Sequence, residues 1–456
     1  MADSLPPPNA PNVDARIDPK ALMSLMLGVV VVTIDISLTS TAVPAIAQAL
    51  SQAPAATIWI INAYYLAVVA SLLPLAALGE IIGHKRVFRT GLGVFALGAL
   101  ASGLSESLAT LMAARGLLGI GAAAVSATAP ALIKTLYPPA QIGRGLGLYA
   151  LVVGVAFTAG PTVVSAVLSV ASWPWIYLTN VPLAVVALVL TSGRLPDTDR
   201  APRRFDPTAA LLCSLMFAAL LAALSSIGHL KWLQVAAGSA AAMTLGYALM
   251  RREAGNPAPI LGIDLFRIRL FALSSMTSIT AFTVQALVFV VLPLLFTIEL
   301  GFSAAQAGLL ITPWPAALAI VNGISGRLVE HVAPGVLGAV GMATVAIGLL
   351  LVANLPLQPD AFDIGWRLVI CGVGFGLFQS PNMVAMMNSA PKERSGSAGG
   401  ILATSRLLGQ SIGAASVAFC LSSFPENGIY AALWLGVAAA ALSATISAIR
   451  LTHLAK

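Results

Sequence analysis

Two charges of opposite sign stand where their surroundings are otherwise apolar. Asp35 lies within TIDISLTSTAVPAIAQAL (33–50), whose other residues are all uncharged, and Arg115 opens the run RGLLGIGAAA (115–124). A carboxylate withdrawn from water loses its hydration, which favours the protonated form, whereas a guanidinium beside it favours the anion. A movement that changes the distance or hydration between the two therefore changes proton affinity, which is what a proton-coupled device requires. The static alternative is a buried ion pair that fastens two helices. Arg406, within SGSAGGILATSRLLGQSIGAA (395–415), is a third deep charge, with no acidic residue at matching depth in its half of the chain. It reads as a sensor of a substrate carboxylate or carbonyl cluster. Its other reading is a cation bonded to backbone carbonyls and polar groups around Gln410, or snorkelling to the interface.

Other chemistry finds little support. The four histidines are scattered and show no metal-ligand spacing, and Cys213, Cys371 and Cys420 form no CxxC pair. There is no GxxxxGK[ST] loop for nucleoside triphosphates and no nucleophile beside a base. The expectation is a protein that is not an enzyme, uses no cofactor or metal, and binds no nucleic acid.

The elements that must hold these charges follow from composition. Of 456 residues 58% are hydrophobic and only 9% charged, with mean hydropathy +0.93. A soluble domain is about a quarter charged, so this is the composition of an all-α integral membrane protein. Apolar runs of about 20 residues recur about fourteen times between residues 21 and 450. At ~1.5 Å per residue Asp35 lies roughly 9 Å below the outer face of a ~30 Å apolar core, and Arg115, on a span running the other way, about 10 Å below the same face. Their depths agree.

Lys85, Arg86, Arg89, Arg144, Arg194, Arg251, Arg252, Arg327, Lys392 and Arg394 fall in loops on one side of this map, against little more than Lys231 and Arg367 on the other. Such a bias places the basic loops and both termini in the cytoplasm, and it accounts for the +7 net charge as a membrane-facing rim. The first 20 residues are polar and proline-rich and do not read as a removed signal peptide.

Two polar breaks divide the chain. We expect a cytoplasmic tail at 1–20, a six-helix bundle over 21–193, and a linker with two additional transmembrane helices over 194–255. An amphipathic interfacial segment over 256–269 follows, with Leu261, Leu265 and Ile268 at near-helical spacing, then a second six-helix bundle over 270–450 and a tail at 451–456. Two bundles with a substrate path between them is a transporter layout. Polar and aromatic residues well inside spans are candidates for the cavity wall: Asn62, Tyr65, Phe157, Gln285, Trp314, Gln379, Asn382 and Met383, with Arg406 and Gln410. Ordinary helix packing is the alternative for each of them.

Several stretches in order resemble the major facilitator superfamily, and within it the drug:proton antiporters with fourteen spans. IDISLTSTAVP (34–44) is similar to the first-helix motif, LGEIIGHKR (78–86) to the loop between spans two and three, and RGLLGIGAAA to the fourth-helix motif. GPTVVSAVLSVASWPWIYLTNVP (160–182) resembles the fifth-helix motif and the turn after it, and LGFSAAQAGLLITP (300–313) and residues 395–415 resemble second-half segments. The chain departs from these patterns at Glu80, Ile81, Leu118, Ala156, Val164 and Ser165.

The resemblance implies a major facilitator fold of two six-helix bundles plus two additional helices between them. It implies proton-driven export of amphipathic drugs or metabolites across a cytoplasmic (inner) membrane, and hence antibiotic resistance. Asp35 and Arg115 would be the proton-coupling pair, Glu80, Lys85 and Arg86 a cytoplasmic gate, and Gly160 and Pro161 the antiporter-motif helix. Its partners would be a small amphipathic molecule, protons and the lipid bilayer, with the protein a monomer. Because the fifth-helix motif is eroded, proton-coupled uptake of a small organic solute is the runner-up. A non-transporting membrane sensor or assembly protein is a third reading, against which Asp35 and Arg115 argue.

Overall fold

The computed structural model describes residues 18–451 apart from 53–56, 58, 199, 202, 203, 228–231, 257, 258, 303, 357 and 425. Most of both expected tails, and Lys231, lie outside the described residues. In the first half the helices are α1 (Pro19–Ala49), α2 (Trp59–Ile82), α3 (His84–Gly103), α4 (Leu108–Leu136), α5 (Ile142–Val170), α6 (Pro174–Leu178) and α7 (Asn180–Arg194). Between the halves lie α8 (Pro207–Ile227), α9 (Trp232–Arg252) and the single turn α10 (Ile263–Phe266). The second half has α11 (Arg269–Leu294), α12 (Ala304–Ile311), α13 (Pro313–Leu328), α14 (Pro334–Ala353), α15 (Ala361–Ser389), α16 (Ser395–Ser423) and α17 (Gly428–Ile449).

The helix starts are encoded locally. Asp18 caps α1 by accepting from the Lys20 amide at 2.9 Å, with Pro19 in the first turn. Ser107 and Thr110 form a reciprocal capping box on α4, and Asp360 accepts from the Asp363 amide at the start of α15. Each satisfies amide groups that have no partner within the helix. Prolines 74, 130, 293 and 381 lie inside long helices, a placement tolerated in membrane bundles because neighbouring helices satisfy the freed carbonyls.

Among the described residues, eleven helical stretches are long and apolar enough to cross a membrane, with α6–α7 and α12–α13 each counted as one broken span. The remaining expected spans coincide with α3, α5 and α16, which fall short by that measure. Helix α3 opens on His84, Lys85 and Arg86, only Ile142–Phe157 of α5 forms an apolar stretch, and α16 is rich in Gly and Ser. The physical reason is clearest in α16, whose residues 395–405 are all buried. A helix wrapped by other helices needs small side chains for close approach, not an unbroken apolar surface.

The two halves repeat one another. Helices α4 and α15 are each 29 residues long with a proline in their second half, each leads into a three-residue 3-10 turn preceded by a proline, and each turn opens a further 29-residue helix, α5 or α16. The halves join through α5 with α13 and α15, and through α16 with α2 and α4. These contacts run from mid-depth to one end, called the basic end because the Lys- and Arg-rich loops meet there. At the other end Leu38, Ala42, Ile46, Ile60, Leu111 and Val164 form a separate cluster drawn from the first half alone.

Helix α8 packs against both α2 and α16, spanning one seam between the halves, and α9 packs on α8. Arg252 donates to Asp206 at 2.7 and 3.2 Å, tying the pair together and holding the Asp206 carboxyl below its usual range. In the segment expected at the membrane interface, Leu265 is buried in the core, with Leu261 and Ile268 packed against it. These apolar side chains are docked into protein and not left to the lipid.

On the other seam two glycines set the spacing. A Cβ on Gly326 would come within 2.7 Å of the Gly147 Cα and 2.9 Å of the Gly143 carbonyl oxygen. Backbone cannot yield as a side chain does, so Gly326→Val is expected to part the halves at the basic end. Ser380, fully buried beside this contact, replaced by Cys in the same chain, should then react with a maleimide at least about tenfold faster, taking ~1–3 kcal/mol for the overpacking. Unchanged labelling would refute the close approach.

Candidate functional site

The first-half charges, expected at one depth, meet. Arg115 donates from Nη1 to Asp35 Oδ2 at 2.6 Å, with the two side chains 1% and 0% exposed. Asn180 donates to the other carboxylate oxygen at 3.0 Å. The guanidinium also lies over the rings of Tyr64, at 4.6 Å, and Tyr177, at 5.5 Å. Two aromatic faces supply electrostatic attraction to a cation that water cannot reach. Helices α1, α4 and α7 thus contribute one group each to a buried cluster inside the first half. Asn180 and the two tyrosines were not singled out from sequence, although Asn180 and Tyr177 stand in the stretch 160–182 quoted above. On α5, a Cβ at Gly160 would sit 2.2 Å from the Ser37 hydroxyl, so the glycine permits α5 to cross α1 two residues from Asp35. The side chain of Pro161 lies outside the described residues.

At the basic end Glu80, 2% exposed, takes a charge-assisted bond from Arg394 at 3.2 Å and accepts from the Ser397 amide at 2.6 Å. The carboxylate therefore neutralises a cation and also caps the positive N-terminus of α16. Arg394 forks onward to Asp264 at 2.8 and 3.0 Å and to the Pro259 carbonyl at 2.8 Å. First half, linker and second half converge on one guanidinium. Arg394 had been counted only as a loop cation, because nothing in the local sequence announces a partner 314 positions away.

The repeat supplies a counterpart, Arg144 to Glu330 at 3.2 Å, but with side chains 51% and 22% exposed. A solvated pair of that kind contributes about 0–1 kcal/mol, so the buried pair dominates. Lys134 adds bonds to the carbonyls of Met387 and Ala390 at 2.7 and 3.2 Å. Lys85 pairs with Asp197 at 3.6 Å and Arg86 is exposed, so neither is brought to the latch. Both lie past the end of α2, turned from the seam.

Between the halves at mid-depth is a cleft lined by α4, α5, α11, α15 and α16. Its cavity volume is ≈ 30 Å³. Of the expected cavity residues it brings together Gln379, Asn382, Met383 and Arg406, and adds Tyr149 and Ser278. Tyr65 and Tyr149 are within electrostatic reach of Arg406.

The other candidates stand elsewhere. Trp314 is fully buried in the second-half core, its ring 5.7 Å from Phe289 and 6.4 Å from Phe375, because α13 turns it toward α15 and away from the seam. Phe157 is 42% exposed, Asn62 is exposed, and Gln285 and Gln410 are half-buried outside the cleft wall. Helical periodicity distinguishes buried from exposed faces, yet it cannot say which buried face meets the other half.

A family model described as Major Facilitator Superfamily matches residues 25–414. The chain is 42% identical over 436 residues to the uncharacterized transporter YebQ of Escherichia coli, covering 95% of each chain. It is 28% identical over 410 residues to the multidrug resistance protein Stp of Mycobacterium tuberculosis, covering 88% of this chain and 76% of that one. Among solved structures, that of the proton:xylose symporter XylE superposes with a TM-score of 0.67 at 14% identity, covering 93% of this chain and 94% of the other. A likeness at that identity carries the fold alone.

The latch geometry makes a prediction independent of transport. Removing the cation from a buried pair leaves an uncompensated charge at a cost of about 3 kcal/mol. Arg394→Ala should therefore loosen the basic end, and the Ser397 amide, now held by Glu80, should exchange with deuterium at least about a hundredfold faster. Exchange as slow as in the native chain would mean that other contacts close this end.

Proposed function

We propose that this chain, which belongs to the Major Facilitator Superfamily, is a proton-coupled exporter of amphipathic molecules working by alternating access. Proteins of this superfamily are transporters and not enzymes, and the chain is accordingly a multi-pass membrane transporter. Export, coupling and substrate are our reading. The observation that carries it is the Asp35–Arg115 pair, withdrawn from water inside the first half, with Asn180 donating to the same carboxylate. An apolar replacement of a buried pair is often as stable, so a purely structural need for these charges is weak.

In this reading the pair is closed and Asp35 ionised in the state described. Rearrangement of α1 against α4 separates them, Asp35 takes a proton, and the proton leaves when the pair re-forms. The cycle is then driven by the proton gradient alone, without a cofactor. Glu80 and Arg394 close the basic end, which we take as cytoplasmic with both termini, so the state faces outward across an inner membrane. Helices α3, α5 and α16 cross with the eleven apolar stretches, making fourteen spans of the drug:proton antiporter type, and the protein acts as a monomer. A relative named as a multidrug resistance protein supports export, and with it a role in antibiotic resistance.

The test uses purified protein in liposomes with an imposed pH gradient. Addition of amphipathic compounds is expected to trigger proton flux in the native chain, and Asp35→Asn to reduce that flux to the level of empty liposomes while still binding the compound. Movement of a compound without protons, or normal coupling by the variant, would sink the reading.

A further inference from the structure

The cleft between the halves has a one-sided chemistry. Its walls carry no Asp or Glu, while Arg406 stands in them half-buried and, among the described residues, with no ion pair or hydrogen bond. The bonding around Gln410 or snorkelling considered from sequence is thus not what holds it, because the side chain lines the cleft itself. Beside it Ser278 is fully buried with its hydroxyl unpartnered.

The amides on the wall are committed in a particular sense. Arg450, 1% exposed at the end of α17, donates from Nη1 to Asn382 Oδ1 at 2.7 Å and to the Ser274 hydroxyl at 2.9 Å. Arg450 also donates to Ser447. A guanidinium only donates, so the atom of Asn382 facing it must be the oxygen. The Asn382 nitrogen then gives one hydrogen to the Ser274 carbonyl at 3.1 Å and the other to the Met386 sulfur, a weak acceptor 4.0 Å from the nitrogen. Gln379 likewise spends its oxygen on Asn322, at 3.3 Å, leaving its amide hydrogens. Among the described side chains, the wall of the cleft thus offers donors and a cation, and no unspent acceptor stronger than a hydroxyl. Arg450 adds a second buried positive charge behind Asn382.

We propose that this cleft binds the anionic head of an amphipathic organic anion, with Arg406 as the charge partner, Ser278, Gln379 and Asn382 as donors, and Arg450 as a positioning residue. Met383, Phe282 and Phe378 receive the apolar carbons nearest the head. The narrow space of the present state accommodates a head group, and the body enters as the halves part. The inference rests on the transport reading for its purpose but concerns a binding preference that is measured without transport.

The probes are naphthylacetate, its methyl ester and naphthylethylamine, three ligands of one aromatic skeleton bearing negative, zero and positive charge. Calorimetry on the purified full chain in lipid nanodiscs, with empty nanodiscs subtracted, should show the carboxylate bound at least about tenfold more tightly than either of the others. Arg406→Gln should erase that preference and Arg406→Lys should retain it. Equal or tighter binding of the amine or ester to the native chain would overturn the proposal, and so would an unchanged carboxylate affinity in folded Arg406→Gln. The native comparison decides the matter even if Arg406→Gln does not fold. Failure of proton-driven flux with the anion preference intact would remove the antiport reading and leave this one standing.

Discussion

A charge taken out of water must be met by other charges or dipoles, because nothing in a bilayer or a packed interior replaces its hydration. The arrangement of this transporter can be followed from that constraint. Asp35 is met by Arg115 and Asn180, and Arg115 in turn by two tyrosine rings. Glu80 is met by Arg394 and by the amide end of α16. Arg450 is met only by neutral oxygens among the described residues, and Arg406 by none. The order is informative: in the first two clusters a carboxylate faces a cation, in the third the cation is met without being neutralised, and the fourth is open to the cleft. Neutralisation suits a pair that must hold one state, and openness suits a group awaiting a ligand.

Repetition gives the second organising principle. Each half sends the end of its second helix to the start of the other half's fifth, through Glu80 to Arg394 in one case and Glu330 to Arg144 in the other. The symmetry is one of place and not of strength. Burial separates a bond that costs several kcal/mol to break by removing one partner from one that water largely screens. Only the stronger latch involves the linker, since Asp264 shares Arg394 with Glu80. The stretch that follows α8 and α9 therefore enters the same guanidinium that joins the halves, and the added helices are coupled to closure as well as packed across a seam.

Much of this was legible in the chain. Apolar runs, the bias of basic loops and the breaks near 200 and 256 bounded the helices and the halves, because helix formation in lipid depends on local composition. Equal depth along two antiparallel runs put Asp35 and Arg115 at one level, since a helix rises at a constant rate, and that the first and fourth helices are neighbours came from the family resemblance. The cavity wall was read less well. Gln379, Asn382, Met383 and Arg406 line the cleft, whereas Trp314 is turned into its own bundle. One-dimensional periodicity separates faces of a helix but does not label the partner each face meets.

The sequence by itself determined the membrane environment, the helical class, the two-half layout and the presence of an acid and a base at one depth. All are consequences of short-range composition and the fixed rise of the helix. Tertiary structure alone decided that Arg394 would close the basic end, that Asn180 would complete the Asp35 cluster, and that Arg450 would turn the Asn382 amide. Each is a contact between residues far apart in the chain, set by how helices rotate and cross as they pack. That rotation depends on close approaches such as Gly147 to Gly326 and Gly160 to Ser37, which are properties of two helices together and of neither one alone.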